Sequence, residues 1–76
     1  MADPIRIVIV EDHALMRTEL IELLDSDERF SVVVTANNYA SALAAAESVR
    51  FDVLLLDLQL PDGNGIDLVR HFRLHQ

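Results

Sequence analysis

The chain has 76 residues, so it can form at most one small domain, which buries only about 60% of the surface that its unfolded chain exposes. Acidic residues outnumber basic ones by 13 to 6, and the net charge of −7 disfavours binding of this segment to a nucleic-acid backbone. Cysteine is absent, which excludes disulfides and thiolate-bound metals, and no apolar run approaches the roughly 18 residues of a membrane span. We therefore expect a cytoplasmic protein with no membrane segment and no secretory signal.

Three continuous apolar runs are predicted to be buried strands of a parallel sheet. They cover residues 7–10, 32–34 and 53–56 and are rich in valine, isoleucine and leucine. Between and after them lie helical patterns, at 14–24, at about 39–49, and from residue 66 onward. The order β-α-β-α-β-α predicts an α/β fold of the flavodoxin-like, doubly wound type with about three βα units and strand order 2-1-3.

Acidic residues follow the first and the third apolar run, at the point where each predicted strand ends. Glu11 and Asp12 come directly after the first run, and Asp57 comes directly after the third. Ligand sites of open α/β sheets lie beyond the carboxyl ends of the strands. If the two strands are neighbours, about 4.8 Å apart, the three carboxylates meet and repel one another unless a cation binds. Their oxygen atoms suit Mg²⁺ or Mn²⁺. The alternative interpretation is that these acids are solvated loop residues. Asp62, farther along, is expected to lie outside the metal site.

A longer motif after the third run adds a resemblance to a known family. Residues 57–65 read Asp-Leu-Gln-Leu-Pro-Asp-Gly-Asn-Gly, and the acid pair at 11–12 precedes them. In order and spacing, these residues resemble the receiver domain of two-component response regulators, over essentially all 76 residues. His13 and the leucine-rich third strand are most similar to receivers attached to helix-turn-helix domains of the LuxR/NarL type.

The resemblance implies a role for each matching residue. Asp57 would accept a phosphoryl group from the phosphohistidine of a sensor histidine kinase. Asp12 would bind Mg²⁺ (or Mn²⁺) directly and Glu11 through water, with Asp57 and the backbone carbonyl of Gln59 as further ligands. Gly65 would adopt a backbone conformation that a Cβ atom disfavours. The implied function is that of a phosphoacceptor module in a phosphorelay that regulates an output, namely transcription. DNA would be bound only by an output domain outside these residues.

The resemblance covers only the first three of the five βα units of a receiver. We therefore expect residues 1–76 to form one incomplete receiver domain, with no second domain. The family also uses a Ser or Thr after its fourth strand, a Lys after its fifth strand and an aromatic residue on that fifth strand. The sequence contains no lysine at all. The expected site is therefore the metal-binding and acceptor half, without the groups that communicate phosphorylation.

Two other interpretations stay open. Haloacid-dehalogenase-like phosphatases also place a nucleophilic aspartate after a buried strand, which would make Asp57 the nucleophile of an enzyme. They require a second aspartate two residues later, where this sequence has Gln59. The other alternative is a truncated form that folds or dimerises without signalling. For the receiver interpretation we expect no enzymatic activity beyond self-phosphorylation from a phosphodonor.

The third predicted strand suggests how the chain associates. In the order 2-1-3 it lies at an edge of the sheet, and it contains no Lys or Pro that would discourage pairing with another strand. The helices beside the sheet would also leave apolar faces uncovered, in a chain that is already short of buried area. We therefore predict a homodimer, or a larger assembly, joined through third strands.

Overall fold

Three parallel strands form the central sheet of the computed structural model, which describes residues 3–57 and 59–75. The strands are β1 (Ile5–Val10), β2 (Phe30–Ala36) and β3 (Val53–Leu56). Their order is β2-β1-β3, and both pairings of β1 are parallel. The structure thus confirms the predicted flavodoxin-like α/β fold and its strand order 2-1-3.

Three helices connect or follow the strands. They are α1 (Ala14–Asp25), α2 (Tyr39–Ala46) and α3 (Gly65–His75). Helix α2 ends three residues earlier than predicted, because the chain turns after Glu47 to reach the start of β3. In the described part of the chain, none of these helices has the length and apolar character needed to cross a bilayer.

The hydrophobic core lies against both faces of β1. This strand is the central one, and its last four residues are each at most 3% exposed. This burial on both faces explains why its sequence is a continuous apolar run rather than an alternating one. One face packs against α2 and α3 through the buried residues Val8, Val10, Val34, Ala36, Ala42, Leu60, Leu68 and Phe72.

Strand β3 lies at the edge of the sheet, as predicted. Among the described residues it pairs with β1 and with no other strand, and Val53 is 39% exposed. Helix α1 also leaves apolar side chains uncovered: Leu15 is 73% exposed and Leu23 is 69% exposed. The expected uncovered apolar surfaces are therefore present on both elements.

A small antiparallel hairpin follows β3, which the sequence patterns did not predict. It consists of β4 (Gln59–Leu60) and β5 (Gly63–Asn64), with Gln59 opposite Asn64. The prediction for Gly65 was wrong, because neither glycine has a positive φ and Gly65 is the first residue of α3. Glycine is needed instead at position 63 for space, since a Cβ atom there would lie 2.7 Å from Cδ2 of Tyr39.

Candidate functional site

Backbone hydrogen bonds place the acidic residues together at one edge of the sheet. The N–H of Glu11 donates to the carbonyl of Ala36 at 3.0 Å, and the N–H of Asp57 donates to the carbonyl of Val10 at 2.9 Å. Each bond extends the parallel ladder by one residue beyond the end of a strand. The acid pair after β1 and the aspartate after β3 therefore leave the sheet side by side.

The three carboxylates and one imidazole form a compact cluster. Glu11, Asp12, His13 and Asp57 each offer one ligand atom, and these atoms all lie within 4.8 Å of one another. The structure thus brings together the three carboxylates that the sequence predicted would meet. Gln59 lies two residues beyond Asp57 and begins β4, and the role of its carbonyl as a ligand stays a prediction.

His13 is the neighbour that the sequence did not assign to this cluster. It is the N-cap residue of α1, but its side chain makes no capping hydrogen bond. Its Nδ1–H donates instead to Oε1 of Glu11 at 2.7 Å. This hydrogen bond, together with the negative charge of Asp12, raises the pKa of His13 above its ordinary value. The imidazole thereby holds the Glu11 carboxylate in place and offsets part of the local negative charge.

Asp12 carries the feature that fits a bound cation. Its Oδ1 atom is buried and accepts no hydrogen bond from the described part of the chain. His13 Nδ1 lies 3.1 Å from this oxygen and 2.7 Å from Oε1 of Glu11, so one imidazole nitrogen is shared between two carboxylates. A buried carboxylate oxygen that accepts no hydrogen bond is costly, and an exposed imidazole shared with Glu11 offsets only part of that cost. A hard divalent cation with oxygen ligands meets that need, so the residues present fit Mg²⁺ or Mn²⁺.

Arg17 fixes the acid pair to the first helix. Its guanidinium Nη1 donates to the backbone carbonyl of Glu11 at 2.8 Å in a partly buried contact. The two residues are six positions apart and the acceptor is a backbone atom, so no pattern of charged side chains could have revealed this pair. The contact anchors α1 beside the cluster and uses a backbone oxygen rather than a carboxylate oxygen of Glu11.

Asp62 lies outside the cluster, as expected, and its carboxylate, although it belongs to an exposed turn residue, contacts the backbone of another element. Its carboxylate accepts hydrogen bonds from the backbone N–H groups of Tyr39, at 2.6 Å, and Ala40, at 3.1 Å. Desolvation by itself would raise the pKa of Asp62, but the hydrogen bonds from Ala40 and Tyr39 outweigh it, so that pKa is lowered. No local pattern in the sequence indicates this contact, which joins residues 23 positions apart.

With this geometry established, comparison with known proteins identifies the family. The response regulator receiver domain family matches residues 7–76, and the chain belongs to this family. The DNA-binding transcriptional activator DevR/DosR of Mycobacterium tuberculosis is 42% identical over 66 residues, which cover 87% of this chain and 30% of that protein. A protein-glutamate methylesterase/protein-glutamine glutaminase 2 of Koribacter versatilis is 40% identical over 68 residues, covering 90% of this chain and 19% of that protein.

A solved structure matches the fold. It is the structure of RcsB from Salmonella enterica serovar Typhimurium bound to promoter rprA in the presence of phosphomimetic BeF3⁻. The TM-score is 0.84 at 23% identity, and the match covers 95% of this chain and 37% of that one. This chain therefore spans less than two fifths of the length of each of these proteins. The resemblance to two-component receivers, some of them in transcription regulators, is confirmed.

Proposed function

We propose that this chain is the phosphoacceptor module of a two-component phosphorelay, with Asp57 as the residue that is phosphorylated. The observation that carries the proposal is the convergence of Glu11, Asp12 and Asp57, with one buried Asp12 oxygen that accepts no hydrogen bond from the described residues. Membership in the receiver domain family adds support. Residues 1–76 would then act as one receiver unit.

The proposed reaction is an in-line transfer to a carboxylate. An oxygen of Asp57 forms a bond to phosphorus while the phosphorus–nitrogen bond of a kinase phosphohistidine breaks. The imidazole nitrogen keeps the electron pair and takes up a proton, and the product is an acyl phosphate. A carboxylate is a weak nucleophile, so positioning and charge neutralisation carry most of the rate. The backbone hydrogen bond from Asp57 to Val10 supports that positioning.

The acid cluster is proposed to hold the divalent cation that such a transfer needs. Asp12 and Asp57 would bind it directly, Glu11 through water, and the Gln59 carbonyl would complete the protein ligands. A bound Mg²⁺ (or Mn²⁺) would supply positive charge that offsets the repulsion between the carboxylates and an incoming phosphoryl group. His13 and Arg17 keep the acid pair oriented through their contacts with Glu11.

The proposed partners are a sensor histidine kinase and an output domain outside these 76 residues. The net charge of −7 supports binding of DNA by that other domain rather than by this one. The relative DevR/DosR is named a DNA-binding transcriptional activator, which supports transcription as the output. A cytoplasmic location follows from this proposal.

Intact-mass measurement tests the proposal. The chain is incubated with Mg²⁺ and a small acyl-phosphate donor, beside Asp57→Asn and the matched acidic control Asp67→Asn. We expect wild type and Asp67→Asn to gain one alkali-labile phosphoryl group and Asp57→Asn to gain none. Labelling of Asp57→Asn, or no labelling of wild type, would overturn the assignment. Sustained hydrolysis of a phosphomonoester would favour the phosphatase interpretation instead, although Gln59 occupies the position of its second aspartate.

We also propose that the chain associates with a second copy through β3. The outer edge of this strand has no partner strand among the described residues, and Val53 on it is 39% exposed. The α1 side chains Leu15 and Leu23 expose further apolar surface. Pairing of two β3 strands would satisfy backbone groups and bury apolar area at the same time. A two-fold dimer is the simplest closed arrangement.

A further inference from the structure

The amino end of α2 is capped from two different parts of the chain. Backbone N–H groups in the first turn of a helix have no partner within the helix. The N–H of Ser41 donates to the side chain of Asn38, its local N-cap residue, at 2.8 Å. The N–H groups of Tyr39 and Ala40 donate instead to the carboxylate of Asp62, in the turn between β4 and β5. Asn38 therefore acts only as a helix cap, whereas Asp62 caps the helix and also links the β4–β5 hairpin to it.

The β4–β5 hairpin packs closely against helix α2. Gly63, the residue after Asp62, approaches Tyr39 so closely that an added Cβ atom would lie 2.7 Å from Cδ2 and 3.0 Å from Cβ of the tyrosine. On the inner side, Leu60 is only 8% exposed and joins the core. The position of the hairpin is thus determined jointly by the core, by the tyrosine ring and by the carboxylate of Asp62.

The elements that carry the proposed metal ligands differ in how firmly they are held. Glu11 and Asp57 continue the sheet through backbone hydrogen bonds to Ala36 and Val10. Gln59, by contrast, begins β4, which pairs only with β5 among the described residues. Mg²⁺ requires nearly ideal octahedral geometry, so a displaced carbonyl ligand weakens its binding strongly. A contact that fixes the hairpin should therefore affect the affinity of the metal site.

We propose that Asp62 is a positioning residue for the metal site: by holding the β4–β5 hairpin against the amino end of α2, it fixes the Gln59 backbone relative to the acid cluster. The inference rests on the proposed function, since it needs the Gln59 carbonyl to be a ligand. Partners that orient metal ligands typically contribute about 10- to 100-fold to affinity. Asp62 acts through the backbone of a neighbouring residue, so we expect the lower end, about tenfold.

Two uncapping substitutions separate positioning from helix stability. Asp62→Ala and Asn38→Ala both remove an acceptor from the first turn of α2, but only the first also releases the hairpin. The full 76-residue variants are titrated with Mg²⁺ alone, and their unfolding midpoints and the amide exchange of Tyr39 and Ala40 are measured in parallel. We expect Asp62→Ala to bind Mg²⁺ about tenfold more weakly and Asn38→Ala to bind within about twofold of wild type. Both variants should lose stability.

Asp62→Asn keeps an acceptor oxygen and should recover part of the lost affinity. If Asp62→Ala unfolds, the comparison of Asp62→Asn with Asn38→Ala decides the question. Equal Mg²⁺ affinity of wild type and the Asp62 variants would overturn the positioning role while leaving the proposed function intact. The same conclusion follows if Asn38→Ala weakens binding as much as the Asp62 variants do. A wild-type chain that does not bind Mg²⁺ would overturn the proposed function, and this inference with it.

Discussion

Replacing Gly63 by alanine adds one methyl group at the closest contact between the hairpin and α2. The new Cβ atom would lie 2.7 Å from Cδ2, 2.8 Å from Cγ and 3.0 Å from Cβ of Tyr39. These are atoms near the root of the tyrosine side chain, so a rotation of the ring cannot remove the clash. The hairpin or the helix must move instead, and this movement would strain the hydrogen bonds that Asp62 accepts from Tyr39 and Ala40.

Two opposing effects determine the size of the Gly63→Ala destabilisation. Overpacking by one methylene-sized group typically costs about 1–3 kcal/mol. Alanine also restricts the unfolded chain, which stabilises the native state by about 0.4–1 kcal/mol. The clash is the larger effect, so we expect a net loss of about 1–2 kcal/mol. For a domain of this size, each kcal/mol lowers Tm by about 4–8 °C, so the expected fall is about 4–16 °C.

Thermal and urea unfolding of a double-mutant cycle tests this assignment. The cycle combines Gly63→Ala with Tyr39→Ala, and all four proteins are compared at one concentration because association changes apparent stability. Tyr39→Ala by itself should destabilise the fold, but it removes the two closest contacts of the added methyl group, those with Cδ2 and Cγ, and leaves only the contact with Cβ at 3.0 Å. We therefore expect a coupling of about 0.5–3 kcal/mol between the two sites. Unchanged stability of Gly63→Ala, or additive effects in the cycle, would refute the steric reasoning.

Three further predictions concern the metal site, the pH dependence and the assembly. Asp12→Ala should abolish Mg²⁺ binding in a calorimetric titration, because it removes the buried oxygen that lacks a donor, whereas the exposed control Asp67→Ala should bind normally. Binding by both variants would place the cation elsewhere. Hydrogen bonds from Arg29 lower the pKa of Asp27 from 3.8 to about 2 in the fold. A lowered folded-state pKa means that the ionised form stabilises the fold above about pH 4 and that this contribution is lost as the pH falls toward 2. Unfolding measured across that window should show a shallower decline for Asp27→Asn, and an identical decline would contradict the assignment. Val53→Lys, which puts a charge on the exposed part of β3, should shift sedimentation toward monomer at micromolar concentration. A wild-type chain that stays monomeric and cooperatively folded at every dilution would refute association through β3.

The sheet was predictable from sequence because a strand that is buried on both faces is a continuous run of apolar residues. Val8, Ile9 and Val10 are fully buried, and a strand in that position requires a continuous apolar run. Once the strand order 2-1-3 is assigned, the meeting of Asp57 with the acid pair follows from the geometry of parallel strands. The carboxylate cluster was therefore predictable at the level of which residues meet, although the hydrogen bonds within it were not.

The hairpin and its contacts were not predictable from local patterns. Residues 61–65 are typical turn residues, and this turn pattern gives no indication of the two short strands, β4 and β5, on either side of residues 61–62. The role of glycine was assigned to Gly65 on conformational grounds, whereas the structure needs it at Gly63 because of a ring that belongs to another helix. Asp62 likewise has its partners more than twenty residues away. Such contacts depend on packing between elements, and a single sequence carries no local signal for them.

Helix α1 shows that an apolar pattern can predict a helix correctly without predicting the burial of its apolar side chains. Its leucines indicate an amphipathic helix, and the helix forms, yet no residue of α1 is fully buried. Among the described residues, the side chains of Leu15 and Leu23 are largely exposed. Periodicity predicts that a face is available for packing, but what packs on it depends on neighbours that the periodicity does not specify.

The proposed metal site combines ligands on the central sheet, which are held rigidly, with one ligand on the β4–β5 hairpin, which is easier to displace. Glu11 directly follows the buried strand β1, and Asp57, at the end of the edge strand β3, is hydrogen-bonded to Val10 of β1. A shift of either residue would disturb β1 residues that are fully buried. Gln59 depends on a two-residue strand, and that strand is held by Leu60 in the core and by the contact of Asp62 with α2. Close-packed interiors resist small shifts, whereas a short surface hairpin yields to the loss of one or two hydrogen bonds. Substitutions in the hairpin should therefore alter metal affinity gradually, and substitutions beneath β1 should act mainly by unfolding the chain.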